Sequence, residues 1–334
     1  MENYTLIFDW GDTLMEVLPG MQGAMVNWPK VQAVNGAWNT LDRLSKVYPC
    51  YVATNAEESS ANEVQAALAR ADLDRFISEI FTKTEVGFRK SDPEFYRSIS
   101  SRLNVPPGQM IMVGDDFEQD VLSANRAGLR TIWLNTKGNE LTSCLPYQDA
   151  EIPWLDGISR LMETKFPPAI ETCNIWLEED QVPDNIRSHM QAVADHAYKL
   201  AVKLQNANVD VDPILVHRAA WLHDIGKLLE STTDVDHGAV GANILRRKGE
   251  GILAEIIEKH AVESILKEPF HEWSWNTKIV YYVDKLFDGE TRMDIADRLS
   301  RLGIRYPKSN KEFEKALPLI ITLENEIKLL SSPD

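Results

Sequence analysis

Short apolar-rich runs alternate with helical repeats along the first half of the chain, and helical repeats alone fill the second. Residues 4–8 (YTLIF), 49–53 (PCYVA), 109–113 (QMIMV) and 130–134 (RTIWL) have strand length. Polar residues follow three of them: Asp9 and Gly11 after the first, Thr54 and Asn55 after the second, Gly114, Asp115 and Asp116 after the third. Between the runs lie helical patterns such as ANEVQAALARADL and DVLSANRAGL, and EIPWLDGISRLME supplies a last strand and helix. Buried strands alternating with helices predict a parallel α/β sheet. Ligands of such sheets bind at the carboxyl ends of the strands, where these polar residues stand.

From about residue 184 the period becomes helical throughout. It runs through HMQAVADHAYKLAVKL, DPILVHRAAWLHDIGKLL, VGANILRRK, GILAEIIEKH and TKIVYYVDKLF, and predicts an all-α half. KSNKEFEKALPLIITLENEIKLL adds one or two C-terminal helices. The double proline in KFPPAIETCN marks a linker. The expected organisation is an α/β domain over 1–165, a linker over 166–183 and a helical domain over 184–334. The length of 334 residues fits two domains.

Composition narrows the function classes. Hydrophobic residues at 44% and charged residues at 26% belong to a globular protein, not a disordered or fibrous one. The net charge of -16, divided evenly between the halves, argues against a binder of nucleic-acid backbone. It leaves room for a small phosphorylated ligand held by metal ions and a few placed cations. Cys50, Cys144 and Cys173 are odd in number and far apart, so neither disulfides nor thiolate zinc sites are expected. The N-terminus is acidic where a signal peptide would be basic, and no apolar run reaches membrane-spanning length. A cytoplasmic protein without membrane partners is the expectation. No pattern in the sequence fixes an oligomeric state.

Asp9, Thr54, Lys90 and the Asp115/Asp120 pair form a set that can transfer a phosphoryl group. A strand-end carboxylate can attack phosphorus and form an aspartyl-phosphate. A hydroxyl and a lysine can hold phosphate oxygens, and further carboxylates can hold Mg2+. The ordered pieces FDWGDTL, VATN, KSDPEFY and VGDDFEQDV resemble the haloacid dehalogenase (HAD) superfamily over residues 4–163. That resemblance implies Asp9 as nucleophile and Mg2+ ligand, Gly11, Asp115 and Asp120 at the metal, and Thr54 and Lys90 on phosphate. One departure matters. Phosphatases of this family carry a second Asp two positions after the nucleophile, as acid for the leaving group and base for water. Here that position is Gly11, and the nearest carboxylate is one later, at Asp12. Three readings stay open: a slow phosphatase, an altered chemistry, or a domain that binds phosphate without turnover. Asp116 has an equal claim to being a solvated loop carboxylate. The short stretch between Thr13 and Thr54 leaves no room for a large lid and implies a minimal cap, with MEVLPGMQGAMVNW as a small flap or a packed loop.

In the second half, six of the seven histidines fall within 189–260. Imidazoles with carboxylates suit Mn2+, Fe2+, Co2+ or Zn2+ better than Mg2+ or Ca2+. HMQAVADHAYKLA, AAWLHDIGK, HGAVGANIL, IIEKH and YYVDKL resemble the HD superfamily of metal-dependent phosphohydrolases over roughly 184–305. The resemblance implies His189, His223, Asp224 and Asp284 as ligands. It also places His237 and His260 where two-metal members keep extra histidines; contact with phosphate beside a single metal is the other reading. His196, His217 and His271 read as non-ligands, and Lys227 as a cation for substrate phosphate. The expected function is a two-domain phosphohydrolase. The second half would hydrolyse a small phosphate ester or anhydride, with a nucleotide first among candidates, and the first half would be a possible Mg2+-dependent phosphomonoesterase. The alternative is a catalytically impaired first half that senses a phosphometabolite and regulates the second.

Overall fold

The computed structural model describes residues 4–139, 146–164, 166–230 and 237–331. The chain divides into two compact units. Among the described residues, the first takes in 4–139, 147–164 and Phe166, and the second takes in Pro146 and everything from Pro167 onward.

The first unit is built on a six-stranded sheet, all pairs parallel, in the order β3-β2-β1-β4-β5-β6. The strands are β1 Thr5–Phe8, β2 Cys50–Thr54, β3 Ile80–Thr82, β4 Met110–Gly114, β5 Arg130–Leu134 and β6 Ala150–Ile152. Helices α1 Ala37–Leu44, α2 Ala61–Ala69 and α3 Pro93–Leu103 lie among the crossovers. Both faces of the sheet are covered, so the strands read as continuous apolar runs. In β1, Leu6 and Phe8 pack into one core layer and Ile7 into the other. Each helix start carries its own signal: Ser60 and Glu63 form a reciprocal cap on α2, and Asp92 caps α3 ahead of Pro93. The strand order reverses between β1 and β4. That places the ligand crevice at their carboxyl ends, beyond Phe8 and Gly114.

β3 was not visible as a pattern, because IFT is only three residues long. The run after β4 also differs from the regular helix expected of DVLSANRAGL. Phe117–Leu122 is a π-helix that passes into a short α-turn at Ser123–Arg126. Such wider turns insert one residue and re-aim a side chain, here that of Asp120.

The second unit is helical. Its main elements are α4 Ile170–Glu179, α5 Asp184–Asn206, α6 Pro213–Leu222, α7 His237–Arg247, α8 Gly251–Glu258, α9 Trp275–Asp284, α10 Ile295–Arg305 and α11 Asn310–Ser331. α6 packs against α5, α8 and α9 and has buried side chains all round. Most of the stretch 166–183, expected as a linker, is helical: it holds α4, with Ile170, Cys173 and Leu177 buried. Their i, i+3, i+7 spacing is a core-facing stripe, and Pro167-Pro168 precede the helix rather than form a tether. The helical reading also passed over a small hairpin, β7 Phe287–Asp288 and β8 Thr291–Arg292, that turns at Gly289 with φ +61°.

Among the described residues, no helix is long and apolar enough to cross a membrane. Cys50 and Cys173 are buried free thiols, each pushed up to about 12 by burial. Cys144 lies outside the described residues.

Candidate metal centres

At the crevice of the first unit, the Asp9 backbone N–H donates to Val113 O at 2.8 Å. This extends the β1–β4 ladder by one residue and fixes where the carboxylate emerges. Asp115 leaves the end of β4, its carbonyl held by the Trp133 indole N–H at 2.9 Å. Asp120 comes from the π-turn and has no solvent exposure. One oxygen from each of Asp9, Asp115 and Asp120 lies within 4.8 Å of the others. Gly114 makes this possible: a Cβ there would stand 2.2 Å from Asp120 Oδ2.

The buried Lys90 ammonium donates to Asp9 Oδ1 and, at 2.6 Å, to Asp120 Oδ1. Asn55 Oδ1 accepts from the Lys90 backbone N–H at 2.9 Å, so the end of β2 positions the lysine. Burial disfavours the charged lysine, but the two carboxylates more than offset this and raise it above its usual value. Burial raises Asp120, against the pull of Lys90. Asp115 is pushed up to about 6, first by burial and then by Asp9 and Asp12. Converging carboxylates that resist ionisation together fit a hard divalent cation such as Mg2+.

The other residues expected here divide. Thr54 is buried, lines the crevice, and its Oγ1 accepts from Ala56 N–H at 3.0 Å. Gly11 lines the same cavity, of about 560 Å3, and as a glycine offers only backbone. Asp12 is exposed at φ +54°, and its Oδ1 accepts from Val17 N–H at 2.9 Å. The one-residue shift turns it to cap its own loop. Asp116 accepts from the backbone N–H groups of Glu118 and Gln119, both at 3.0 Å, and caps the π-turn. Residues 15–28, expected as a small flap or a packed loop, pack Met15, Met25 and Trp28 into the core. Met25 and Trp28 line the cavity there, and Arg70 donates to the carbonyls of Val26, Trp28 and Pro29.

In the second unit, five elements bring six ligand-type residues together. His189 projects from α5, His223 and Asp224 from the turn after α6, His237 from the start of α7, His260 from beyond α8, and Asp284 from the end of α9. They form two triads, His189/His223/Asp284 and Asp224/His237/His260, each with ligand atoms within 4.8 Å of one another. His223 and Asp224, inside the run DPILVHRAAWLHDIGKLL that reads as helical, stand on a turn. Gly226 lets that turn press on α7, since a Cβ there would be 2.5 Å from Gly241 N and His237 O.

The imidazoles are preset. The Nδ1–H of His189 donates to Gly289 O (2.8 Å), that of His223 to Ala220 O (2.7 Å), and that of His260 to Ile257 O (2.6 Å). A carbonyl can only accept, so each Nε2 turns a lone pair inward. His189 Nε2 faces Asp284 Oδ1 at 3.1 Å, and His223 Nε2 is buried without a hydrogen-bond partner. Lone pairs facing carboxylates need a cation between them, and this donor set fits a transition-metal ion.

A lysine holds one oxygen of each aspartate. Lys227 binds Asp224 Oδ2, while Oδ1 faces His237 and His260 at 3.4 and 3.6 Å. Lys285 binds Asp284 Oδ2 at 2.7 Å and also the His260 carbonyl, while Oδ1 faces the His189 and His223 rings. Burial alone would raise both aspartates, yet the surrounding cations and imidazoles keep them well below their usual value. Lys227, expected to meet substrate phosphate, thus stands on Asp224 while still lining a cavity of about 210 Å3. Lys285 and the Gly289 carbonyl were missed. The signal for Lys285 was a lysine beside Asp284 in the otherwise apolar or aromatic run IVYYVDKLF. Outside the cluster, His196 meets Phe287, His217 stacks on Trp221, and His271 is exposed.

Comparison with known proteins matches residues 24–128 to the haloacid dehalogenase-like hydrolase family and residues 186–302 to the HD domain family. An uncharacterised protein of Methanocaldococcus jannaschii is 34% identical over 44% of this chain and 90% of its own length. A glyceraldehyde 3-phosphate phosphatase of Methanothermobacter thermautotrophicus is 31% identical over 29% of this chain and 43% of its own. A pyrimidine 5'-nucleotidase of Streptococcus pneumoniae is 30% identical over 31% of this chain and 44% of its own. The chain thus spans less than half the length of these two named phosphatases. With the strand-end carboxylates in one unit and the histidine–aspartate cluster in the other, the chain belongs to the haloacid dehalogenase-like hydrolases in its first unit and to the HD domains in its second.

Proposed function

We propose that this protein is a two-site phosphohydrolase whose main hydrolysis runs in the second unit, on a nucleotide or another small phosphate ester or anhydride. The convergence of four histidines, three of them preset by backbone carbonyls, and two aspartates in one cluster carries this reading. One or two Mn2+, Fe2+, Co2+ or Zn2+ ions, held by His189, His223, Asp224, His237, His260 and Asp284, would supply Lewis acidity and an activated water. The protein's own part is to aim the imidazoles through backbone carbonyls and to keep the aspartates ionised through Lys227 and Lys285. Both lysines line the cavity, and their charge also favours a phosphate there.

In the first unit, Asp9 would attack phosphorus as the ester P–O bond breaks, with Thr54 holding the phosphoryl oxygens and Mg2+ held by Asp9, Asp115, Asp120 and the Gly11 backbone. Lys90 steadies the Asp9 carboxylate. Gly11 at the acid position, with Asp12 turned onto Val17 N–H, favours slow turnover or phosphate binding without turnover in this unit. The sensing alternative rests on that observation.

The test uses the full chain with each site disabled in turn, by Asp9→Asn or by His223→Ala, against a panel of aryl phosphates and nucleotides with Mg2+, Mn2+, Fe2+ and Co2+. Nucleotide hydrolysis should vanish in His223→Ala and persist in Asp9→Asn. Hydrolysis that survives His223→Ala unchanged would remove the second unit from the reaction.

A further inference from the structure

The cavity of the second unit has a basic wall that the ligand cluster does not use. Arg298, Arg301 and Arg305 stand at i, i+3 and i+7 of α10, on one helical face. All three guanidinium groups reach one carboxylate, Asp288, at 2.9, 3.2 and 3.6 Å. Three cations on one anion leave an excess of two positive charges, on a chain whose net charge is -16. Arg298 and Arg305 line the same cavity as His189, Asp224 and Asp284. The cavity's two lysines are already committed to Asp224 and Asp284. The Arg298 side chain is only 11% exposed, and its Nε is buried without a hydrogen-bond partner. A buried guanidinium donor is costly to leave unmet.

Asp288 also sets where this wall stands. It belongs to β7, and the next residue is Gly289, whose carbonyl orients His189. One hairpin therefore fixes both the arginine face and a ligand of the metal cluster, which holds two anion-attracting positions at a set separation.

We infer that Arg298 and Arg305 form a second-anion subsite, so that the substrate of this site carries a diphosphate: one phosphate at the histidine–aspartate cluster and the next against the arginine wall. This rests on reading the site as a phosphohydrolase. The planar guanidinium fork matches phosphate oxygens in pairs, which a lysine cannot do. A cavity of about 210 Å3 takes a compact diphosphate, with any larger group extending into solvent.

The test is calorimetric binding to the full-length protein, Mn2+-loaded and in an Asp9→Asn background. The probes are methylenediphosphonate, which is not hydrolysed, and methylphosphonate. Arg305, more than half exposed, is the residue to change. Arg305→Ala should weaken diphosphonate binding about tenfold or more while leaving methylphosphonate within about twofold, and Arg305→Lys should recover part of the loss. Equal loss for both probes, or none for either, overturns the subsite. Wild-type protein that shows the calorimetric pattern but hydrolyses no phosphate compound overturns the phosphohydrolase reading and leaves the subsite standing. Hydrolysis without the pattern does the reverse.

Discussion

Replacing Lys90 by methionine isolates the electrostatic logic of the first site. The side chains of Lys90, Asp9 and Asp120 are 5%, 10% and 0% exposed, so the ammonium and both carboxylates are all out of water. Removing one partner of a buried ion pair costs about 3–5 kcal/mol, because the remaining charge is left uncompensated. Here two carboxylates lose one shared cation, and proton uptake by one of them limits the penalty to that range. For a domain of this size, each kcal/mol moves the melting temperature by roughly 2–4 °C, which places the shift at about 6–20 °C in chelator. Mg2+ restores positive charge at the same carboxylates, so the deficit should shrink when it is added. Scanning calorimetry of wild type and Lys90→Met, with EDTA and with Mg2+, measures both effects. The double change Lys90→Met/Asp120→Asn removes a stranded charge along with its partner, and should recover about 0.5–3 kcal/mol of the loss. A loss below about 1 kcal/mol in chelator refutes the reasoning. So does a deficit that Mg2+ leaves unchanged.

Four further outcomes follow from the two sites. Changing both His223 and Asp224 to alanine breaks both triads and should bring transition-metal content to zero by elemental analysis, whereas His189→Ala leaves the Asp224/His237/His260 triad able to hold an ion. Gly11→Asp supplies the missing acid; its Cβ would meet only Val17 Cγ2, at 3.0 Å on a half-exposed side chain. Mg2+-dependent hydrolysis of an aryl phosphate by this site should therefore rise by about 10²-fold, and an unchanged rate would show that the acid is not what it lacks. Because folding raises Asp115 to about 6, the folded state binds more protons than the unfolded one between the ordinary aspartate range and pH 6. Melting temperature in chelator should then fall as pH rises through that window, and Mg2+ should flatten the slope. Lys285→Met should weaken metal binding by about 10–100-fold in a competition titration without removing any ligand, and an unaltered affinity would dismiss its role.

How much of this could be read from the chain depended on what each pattern records. β1, β2, β4 and β5 were legible because strands buried on both faces must be apolar throughout, and β3 was too short to stand out. The residues that converge at both candidate sites were legible as types and order. The π-turn was not, because the periodicity of DVLSANRAGL does not distinguish a turn that takes one extra residue, and Asp120, which meets Lys90, comes from that turn. α4 was read as linker because two prolines outweighed the Ile170/Cys173/Leu177 stripe, although proline ahead of a helix is no obstacle to it. Carbonyl partners such as Gly289 leave no residue-type signature. Nor does Arg298: a guanidinium on an amphipathic helix face reads as solvated until the carboxylate that gathers it is known.

The acidity of the chain and the wiring of the second cluster are parts of one arrangement. A carboxylate buried without a cation tends to take a proton, and a protonated carboxyl is a poor metal ligand. Lys227 and Lys285 remove that outcome by binding Oδ2 of Asp224 and Asp284, which leaves each Oδ1 ionised and directed at a pair of imidazoles. Three of the histidines, His189, His223 and His260, follow the same division of labour: Nδ1 is tied to a backbone carbonyl and Nε2 is turned toward the cluster. These three histidines and Asp284 thus spend one polar atom on a scaffold partner and keep the other for the centre, which limits the reorganisation that ion binding would need. In the first site Lys90 serves two carboxylates at once, and one of them is the expected nucleophile. There the lysine does more than hold a ligand ready. It competes with a phosphoryl group for Asp9, and with glycine at position 11 nothing nearby hastens the return of the free carboxylate. The same lysine–aspartate pairing would therefore favour ion binding in the second unit and, on the proposed reading, slow turnover in the first.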